Sequence, residues 1–507
     1  MTESGNIDEL RRRREAGALQ RPRQRGLSNA ELAQRRKVMR FVTRWRTYGV
    51  FGFGALLLVG CLLGLLVFLR PTTSEVENRT LTEMPPFTIE GFMDGSFFSE
   101  ASLWYSDTYP LREQMVSADL SLESLYGVVP ETRMIGGNRT SDELPVVDEN
   151  SGQFADDAGA EDLAARAHVD LPDVRVAAKE MENQISDGIY TDGKAAYTLY
   201  YFSKEATRNY ANLINDAAKL LEGKAQVYSI LLPTNGGVML DDEVLAQLGV
   251  PNQDQAIDYF YSLMSSDVKT VPTFDTLYEH RDEYLYFRTD FHWTQLAAYY
   301  VYESFCREKG IEPAPYFEWE ELVFDDYVGE YADMIDIGDI QADYVSARIP
   351  QGTNTVEYWK DDSIPSAVTE APVITDLNQL KVVGDKYSCF IGGNRPLTHI
   401  NNPNVTDGSS CLVVKDSFGN PLVSTMVDNY QDIYCIDFRY TTRKLVDLVE
   451  EHGIKDVIFE NVLMFAGTNN CASLLTNIIY PEGTSAEDLL ETFGPKLPDD
   501  WTAPEQA

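Results

Sequence analysis

Apolar positions are distributed in two ways along this chain. From Tyr48 to Leu69 they run together, 22 residues without a charge, long enough to cross a bilayer as a helix. From about residue 187 they come instead in short strand-like runs separated by stretches of helical periodicity. Glu205 to Leu221 reads as an amphipathic helix stopped by Gly223, and Gln226 to Leu232 as an apolar strand that ends at Pro233, Thr234 and Asn235. Asp254 to Met264 reads as a helix, followed by a strand near Val271 and a helix from Thr294 to Glu308. Tyr387 to Ile391, Cys411 to Val414, Asp432 to Ile436 and Asp456 to Phe459 read as strands, with a helix over Thr442 to Glu451. Strands spaced by helices of this length predict an α/β domain over 187–490, with a mainly parallel sheet covered on both faces. Residues 311–380 lack this order and read as irregular and aromatic-rich, with Thr355 to Trp359 extended.

Charge orients the apolar span. Residues 1–46 hold 13 Lys plus Arg against 5 acids, a balance of +8, and the whole chain carries −38, which leaves −46 for the rest. Basic residues before the span predict a single-pass cell-membrane protein, with 1–46 a basic cytoplasmic tail, 47–69 the transmembrane helix and the acidic body outside. A cleaved signal peptide is the alternative, opposed by the long tail and by the lack of a small-residue cleavage site after Leu69. Segment 70–136 reads as a stalk and helical part, with a helical stretch from about Gly95 to Tyr126 interrupted near Pro110. Residues 137–186, where Asp and Glu crowd among Gly, Ala and Ser, read as an acidic flexible insertion, and 491–507 as a polar tail. An acidic body repels nucleic acid, which is excluded as a partner. Cys389 and Cys411 each lie in a strand-like run and would be able to bridge; buried free thiols are the reading preferred from their apolar neighbours.

The candidate chemistry lies in two places far apart in sequence. In Thr289, Asp290, Phe291, His292, Trp293, Thr294, an Asp and a His two residues apart on an extended segment project to one side, so the carboxylate orients the imidazole and selects its tautomer. His292 is the candidate general base. Ser417, on the turn from the Cys411 strand into a helix, is the candidate nucleophile, beside helix N-terminal amides suited to an oxyanion. The competing reading makes Asp290 or Thr294 and Asp416 or Ser417 ordinary helix caps. Asn235, Ser417, Arg439 and Asn461 all follow strands, where ligands bind in such sheets. No phosphate-binding glycine loop and no His/Cys/carboxylate cluster occur, so neither cofactor nor metal is expected.

Glu77-Asn78-Arg79, Asp107 to Arg112, Asp290-Phe291-His292-Trp293, Lys415-Asp416-Ser417-Phe418 and Asp437-Phe438-Arg439-Tyr440 together resemble the DHHW family. That family is similar to the SGNH-hydrolase-like domain of alginate O-acetyltransferase proteins. The resemblance covers roughly 77–127 and 186–480, and Phe291 stands where the family name has its first His. It implies a permuted SGNH-hydrolase-like, flavodoxin-like α/β/α domain, here preceded by one transmembrane helix. Carried over, Ser417 would be nucleophile, His292 base and Asp290 its orienter. Arg439 would bind substrate or support an oxyanion, or else form a structural ion pair with Asp437 or Glu460. Glu460 or Asn461 would stand in the place of the SGNH asparagine. The activity implied is transfer of an acetyl group, through a Ser acyl-enzyme, onto a cell-surface or exported polysaccharide. A membrane-bound O-acyltransferase partner would supply the acetyl. A carbohydrate esterase with the same residues, or a non-catalytic glycan-binding component of an envelope assembly, are the alternatives.

Overall fold

The computed structural model describes residues 188–338, 340–360, 368–380 and 385–481, with shorter stretches before them that include 96–109, 133–136 and 141–147. The apolar span beyond Tyr48, the basic tail, most of 137–186 and the polar tail lie outside the described residues. Among the described residues no helix is long and apolar enough to cross a membrane. The chain divides into two compact units, 1–125 and 126–507. Of the first, the described part is chiefly the helix Ser96–Asp107, whose last turn is closed by Thr108 Oγ1 donating to Trp104 O at 2.7 Å.

The second unit is built on one eight-stranded sheet. Its strands are β1 (Gln226–Leu232), β2 (Val268–Thr270), β3 (Val356–Trp359), β4 (Val368–Ala371), β5 (Leu397–Asn401), β6 (Ser410–Lys415), β7 (Asp432–Asp437) and β8 (Asp456–Val462). Across the sheet they run β4-β3-β5-β7-β6-β8-β1-β2. The five from β7 to β2 are parallel, while β5, β3 and β4 are added antiparallel along one edge. The expected parallel sheet is therefore a mixed one. Every residue of β6 and β8 is buried; successive side chains point to opposite faces, so both faces at the centre are covered.

The helices that cover it include α1 (Lys204–Leu220), α2 (Gln253–Ser262), α3 (Gln295–Lys309), α4 (Gly419–Met426), α5 (Leu445–His452) and α6 (Asn469–Ile479). α1 packs on α6 and α3 on α4. Their starts are legible as side-chain caps: Ser203 accepts from Ala206 N, Asn252 from Gln255 N, Thr294 from Ala297 N and Thr468 from Cys471 N. Gly310, at φ 77°, ends α3 in the left-handed conformation that costs a glycine little.

Two readings change and two elements are added. Residues 311–380 are not irregular: Glu320–Tyr327 and Asp343–Ile349 form an antiparallel hairpin and β4 lies in the same stretch, while the expected extended run Thr355 to Trp359 is β3. Charged residues on the exposed face of Glu320–Tyr327 break the apolar run that marks a buried strand. Tyr387 to Ile391 is not a strand but a 3-10 turn, Lys386–Cys389, because the Asp385 carboxylate caps it by accepting from Tyr387 N at 2.9 Å. β5 and α6 were not anticipated. The preferred reading of the cysteines holds: Cys389 and Cys411 form no bridge, and all five described cysteines are buried free thiols. Within the expected insertion, 141–147 is docked on the body: Lys204 N donates to Asp142 Oδ2 at 2.9 Å and Gln255 Nε2 to Pro145 O at 3.2 Å.

Candidate active site

β6 lies inside the sheet between parallel β7 and β8, and its carboxyl end delivers a short turn, Asp416 to Phe418, before α4. Asp416 staples that turn. One oxygen accepts from Phe418 N at 2.9 Å and the other from Val462 N at 2.9 Å, tying the turn to the end of neighbouring β8. α4 begins at Gly419, where a Cβ would lie 2.5 Å from Glu460 Oε2 and 2.6 Å from Lys415 Cβ, so only glycine lets the helix start this close to the sheet. Asp416 caps, as the bland reading had it. Ser417 does not, and its hydroxyl faces elsewhere.

It faces His292. His292 Nε2 lies 2.7 Å from Ser417 Oγ, and His292 Nδ1 lies 2.6 Å from Asp290 Oδ1, in one line of hydrogen bonds. Asp290 also accepts from the His292 backbone N–H at 2.8 Å, which curls the segment so that its carboxylate meets its own neighbour's ring. All three are buried: Asp290 is 0%, His292 2% and Ser417 6% exposed.

The loop that carries the pair is anchored on each side. Upstream, buried Asp343 accepts from Thr289 N at 2.8 Å, from Thr289 Oγ1 at 2.6 Å and from Arg288 N at 3.0 Å. Downstream, Trp293 Nε1 donates to Phe418 O at 2.9 Å, linking the base loop to the nucleophile turn. Gln295 then joins α3 to both the hairpin and α4, through Arg348 O at 3.1 Å and Ser424 Oγ at 2.8 Å.

Four residues outside the motifs complete the setting. Tyr327 OH donates to Asp290 Oδ2 at 2.7 Å, and Glu330 N donates to the same oxygen at 2.9 Å. Tyr327 reaches it because the hairpin is bulged between Phe324 and Tyr327, with Asp326 at φ 57°. Gly329 lies so close that a Cβ there would stand 2.3 Å from Asp290 Cβ. Tyr387 stacks on the imidazole with ring centroids 4.1 Å apart and donates to Ser417 O at 3.0 Å, so it touches base and nucleophile together. No spacing announced Tyr327 or Tyr387. Phe291, in the place of the family's first His, packs its ring 4.1 Å from the imidazole.

Electrostatics follow from this packing. Burial alone would lower the His292 pKa, but the Asp290 carboxylate, by charge and hydrogen bond, carries it above the ordinary 6.5. Burial alone would raise Asp290; His292 and the two backbone N–H donors hold it below 3.8. One ligand atom each of Asp290, His292 and Glu330 lies within 4.8 Å of the others. Both Asp290 oxygens and both His292 nitrogens are already engaged, so a cation there would have to displace Ser417 or Tyr327.

The remaining candidates fall on both sides of the line. Arg439 lines the cavity above Ser417, of about 390 Å³, but forms a two-bond ion pair with Asp437, Nε to Oδ1 at 2.9 Å and Nη2 to Oδ2 at 2.7 Å. Asn235 and Asn461 do not line it. The Asn235 side chain accepts from Thr198 N at 2.8 Å and donates to Ala196 O at 2.9 Å, a backbone brace, and Asn461 Oδ1 accepts from Tyr210 OH at 2.8 Å. Glu460 is buried against the start of α4 with neither oxygen hydrogen-bonded, and burial pushes its carboxyl well above the ordinary range, so the neutral acid is the form that fits. The expected amide oxyanion site at the α4 terminus is also spent: Phe418 N goes to Asp416 Oδ1, Gly419 N to Asp416 O and Asn420 N to Ser417 O. Asn420, three residues after Ser417, does line the cavity.

Tyr387→Phe keeps the stacked ring and removes only the hydroxyl bond to Ser417 O. The expected result is a loss of about 1 kcal/mol in unfolding free energy, read by denaturant titration, with activity falling by about tenfold or less. Unchanged stability would mean that the hydroxyl is hydrogen-bonded to water equally well.

Comparison with known proteins bears on fold and family. The family described as DHHW protein matches residues 77–170 and 160–436. A DHHW family protein of Eubacterium siraeum has a similar structure, with a TM-score of 0.51 and 22% identity over 57% of this chain and 93% of that one. PatB1 of Bacillus cereus gives 0.47 and 18% over 56% and 97%, and the O-acetyltransferase domain of Pseudomonas putida AlgJ gives 0.30 and 13% over 56% and 96%. No curated protein matches the chain.

Proposed function

This chain belongs to the DHHW protein family, and from that premise and the site we propose that it is an O-acetyltransferase working through an acyl-enzyme on Ser417. The observation that carries the reading is the unbroken line from Asp290 through His292 to Ser417 Oγ, buried at the floor of a cavity. A hydroxyl in that setting is a poor nucleophile until a base takes its proton, and His292 Nε2 is within reach.

In the first half-reaction Ser417 Oγ attacks the carbonyl carbon of an acetyl ester. Its proton passes to His292 Nε2, the Oγ–carbon bond forms, and the ester's alcohol leaves with that proton. Asp290 stabilises the imidazolium, and the Tyr387 ring lies along its face. In the second half a sugar hydroxyl gives its proton to His292 and attacks the acetyl carbon. The bond to Oγ breaks and Ser417 recovers its proton.

The acceptor in this reading is a cell-surface or exported polysaccharide. The Tyr48 to Leu69 span would anchor the chain with its amino terminus in the cytoplasm, and a membrane-bound O-acyltransferase would pass the acetyl group across. The uncharged run and the +8 tail support that arrangement.

The test supplies the full chain with a small activated acetyl ester, with and without glycan oligomers. Faster release of the leaving group with a glycan, and acetyl recovered on the sugar, are expected. Free acetate alone, indifferent to any glycan, would make the protein an esterase. No release from any ester would leave the glycan-binding role.

A further inference from the structure

The charged side chains of the cavity wall are unevenly divided, two carboxylates against an arginine that already has its carboxylate. Arg439 is the cation in its wall, and its Nε and Nη2 are committed to Asp437. Asn420 Nδ2 donates to Asn394 Oδ1 at 3.0 Å, and the Tyr387 hydroxyl donates to Ser417 O. On the acceptor side, Glu330 and Asp385 line the cavity and reach solvent. Asn420 Oδ1 also belongs there: the residue is 2% exposed, lines the cavity, and its oxygen has no hydrogen-bond partner. A buried acceptor without a partner costs free energy until a donor arrives.

A ligand that repairs this arrangement brings donors and positive charge. We propose that the cavity takes a sugar unit carrying a free ammonium group, with Asn420 Oδ1 accepting from the ligand and Glu330 and Asp385 facing its charge, and that it rejects sugars bearing a carboxylate. This rests on the reading of the site as one for a sugar acceptor, and adds its chemical class. The ammonium is protonated and is not the group acetylated; a neighbouring hydroxyl is. A carboxylated sugar would meet two acidic side chains and an arginine already neutralised.

Binding tests this without requiring turnover. The full chain carrying Ser417→Ala is titrated by calorimetry with oligomers of glucosamine, of N-acetylglucosamine and of a uronic acid, at low and high salt. Glucosamine oligomers are expected to bind about tenfold tighter than the neutral oligomers, the yield of two solvent-reaching ion pairs. The uronate is expected to bind weakest, and the differences should shrink with salt. Glu330→Gln with Asp385→Asn should erase the preference, and Asn420→Ala should weaken glucosamine binding by about fivefold.

Equal or tighter binding of the uronate, or no binding of any oligomer, overturns the proposal. So does a glucosamine preference that survives the double substitution, because it would then come from the net charge of −38 and not from the cavity. Ester turnover by the unsubstituted chain reports on acetyl transfer separately, so a failure of the acceptor class and a failure of the chemistry are distinguishable.

Discussion

Replacing Ser417 with Ala, or His292 with Ala, is expected to lower acetyl release from an activated ester on the order of 10,000-fold. Ser417→Ala removes the atom that would carry the acetyl group. His292→Ala leaves that atom but takes away the base 2.7 Å from it, and Asp290 does not replace it, since its oxygens keep the backbone N–H of residue 292 and the Tyr327 hydroxyl. The double variant should be scarcely worse than either single one, because residues that act as a unit lose their effect together. Both substitutions remove side-chain atoms from a cavity floor, so circular dichroism and thermal unfolding must show the fold kept. A His292→Ala protein that turns over ester within about tenfold of the parent would remove His292 from the base role.

Asp290→Asn is expected to cost on the order of 1,000-fold in the same assay, with the shape retained. The amide would present either a hydrogen or an oxygen to His292 Nδ1, and the tautomer that leaves Nε2 free to accept the Ser417 proton is no longer enforced. The pH dependence gives a sharper reading. His292 must be neutral to act as base, and its pKa stands above 6.5, because the Asp290 charge outweighs burial. The acid limb of kcat/KM, which reports the free enzyme, should therefore lie above 6.5 in the parent. In Asp290→Asn only the smaller Glu330 and Asp385 charges oppose burial, and the limb should move down. A parent limb at or below 6.5, or a limb that stays put in the variant, would contradict the coupling.

The pair's contribution to stability runs the other way. A His with a raised folded pKa stabilises fully below its unfolded value, and that part is lost as pH rises through the folded pKa. Asp290, lowered in the fold, stabilises above its unfolded value, and that part is lost as pH falls through the folded pKa. The pH at which His292 is ready to act is thus the pH at which its ion pair has stopped stabilising the protein.

Local chemistry explains what was legible in the one-dimensional chain. Asp290 and His292 could be paired because they stand two residues apart, a local constraint that needs no distant partner, although the segment is curled by the His292 N–H to Asp290 bond and not extended as expected. Ser417 could be singled out because an apolar run ending in a small polar residue before a helix is a recognisable turn. β1, β6, β7 and β8 were readable for a similar reason: buried parallel strands are continuous apolar runs.

Tertiary structure decided everything that depends on two segments meeting. Ser417 and His292 are separated by 125 positions, and only the shared edge of the sheet, tied by Trp293 to Phe418, makes them neighbours. Of the antiparallel strands, Thr355 to Trp359 was legible as β3, whereas β4 at the edge and β5 inside it carry polar residues that break the apolar run. Tyr327 reaches Asp290 through a bulge, Tyr387 lies on a turn set by Asp385, and Asn235 is turned into a brace by the loop it holds. Hydrogen bonds and ring contacts of that kind leave no periodicity in a sequence, because the residue types that make them serve equally well in a core or on a surface.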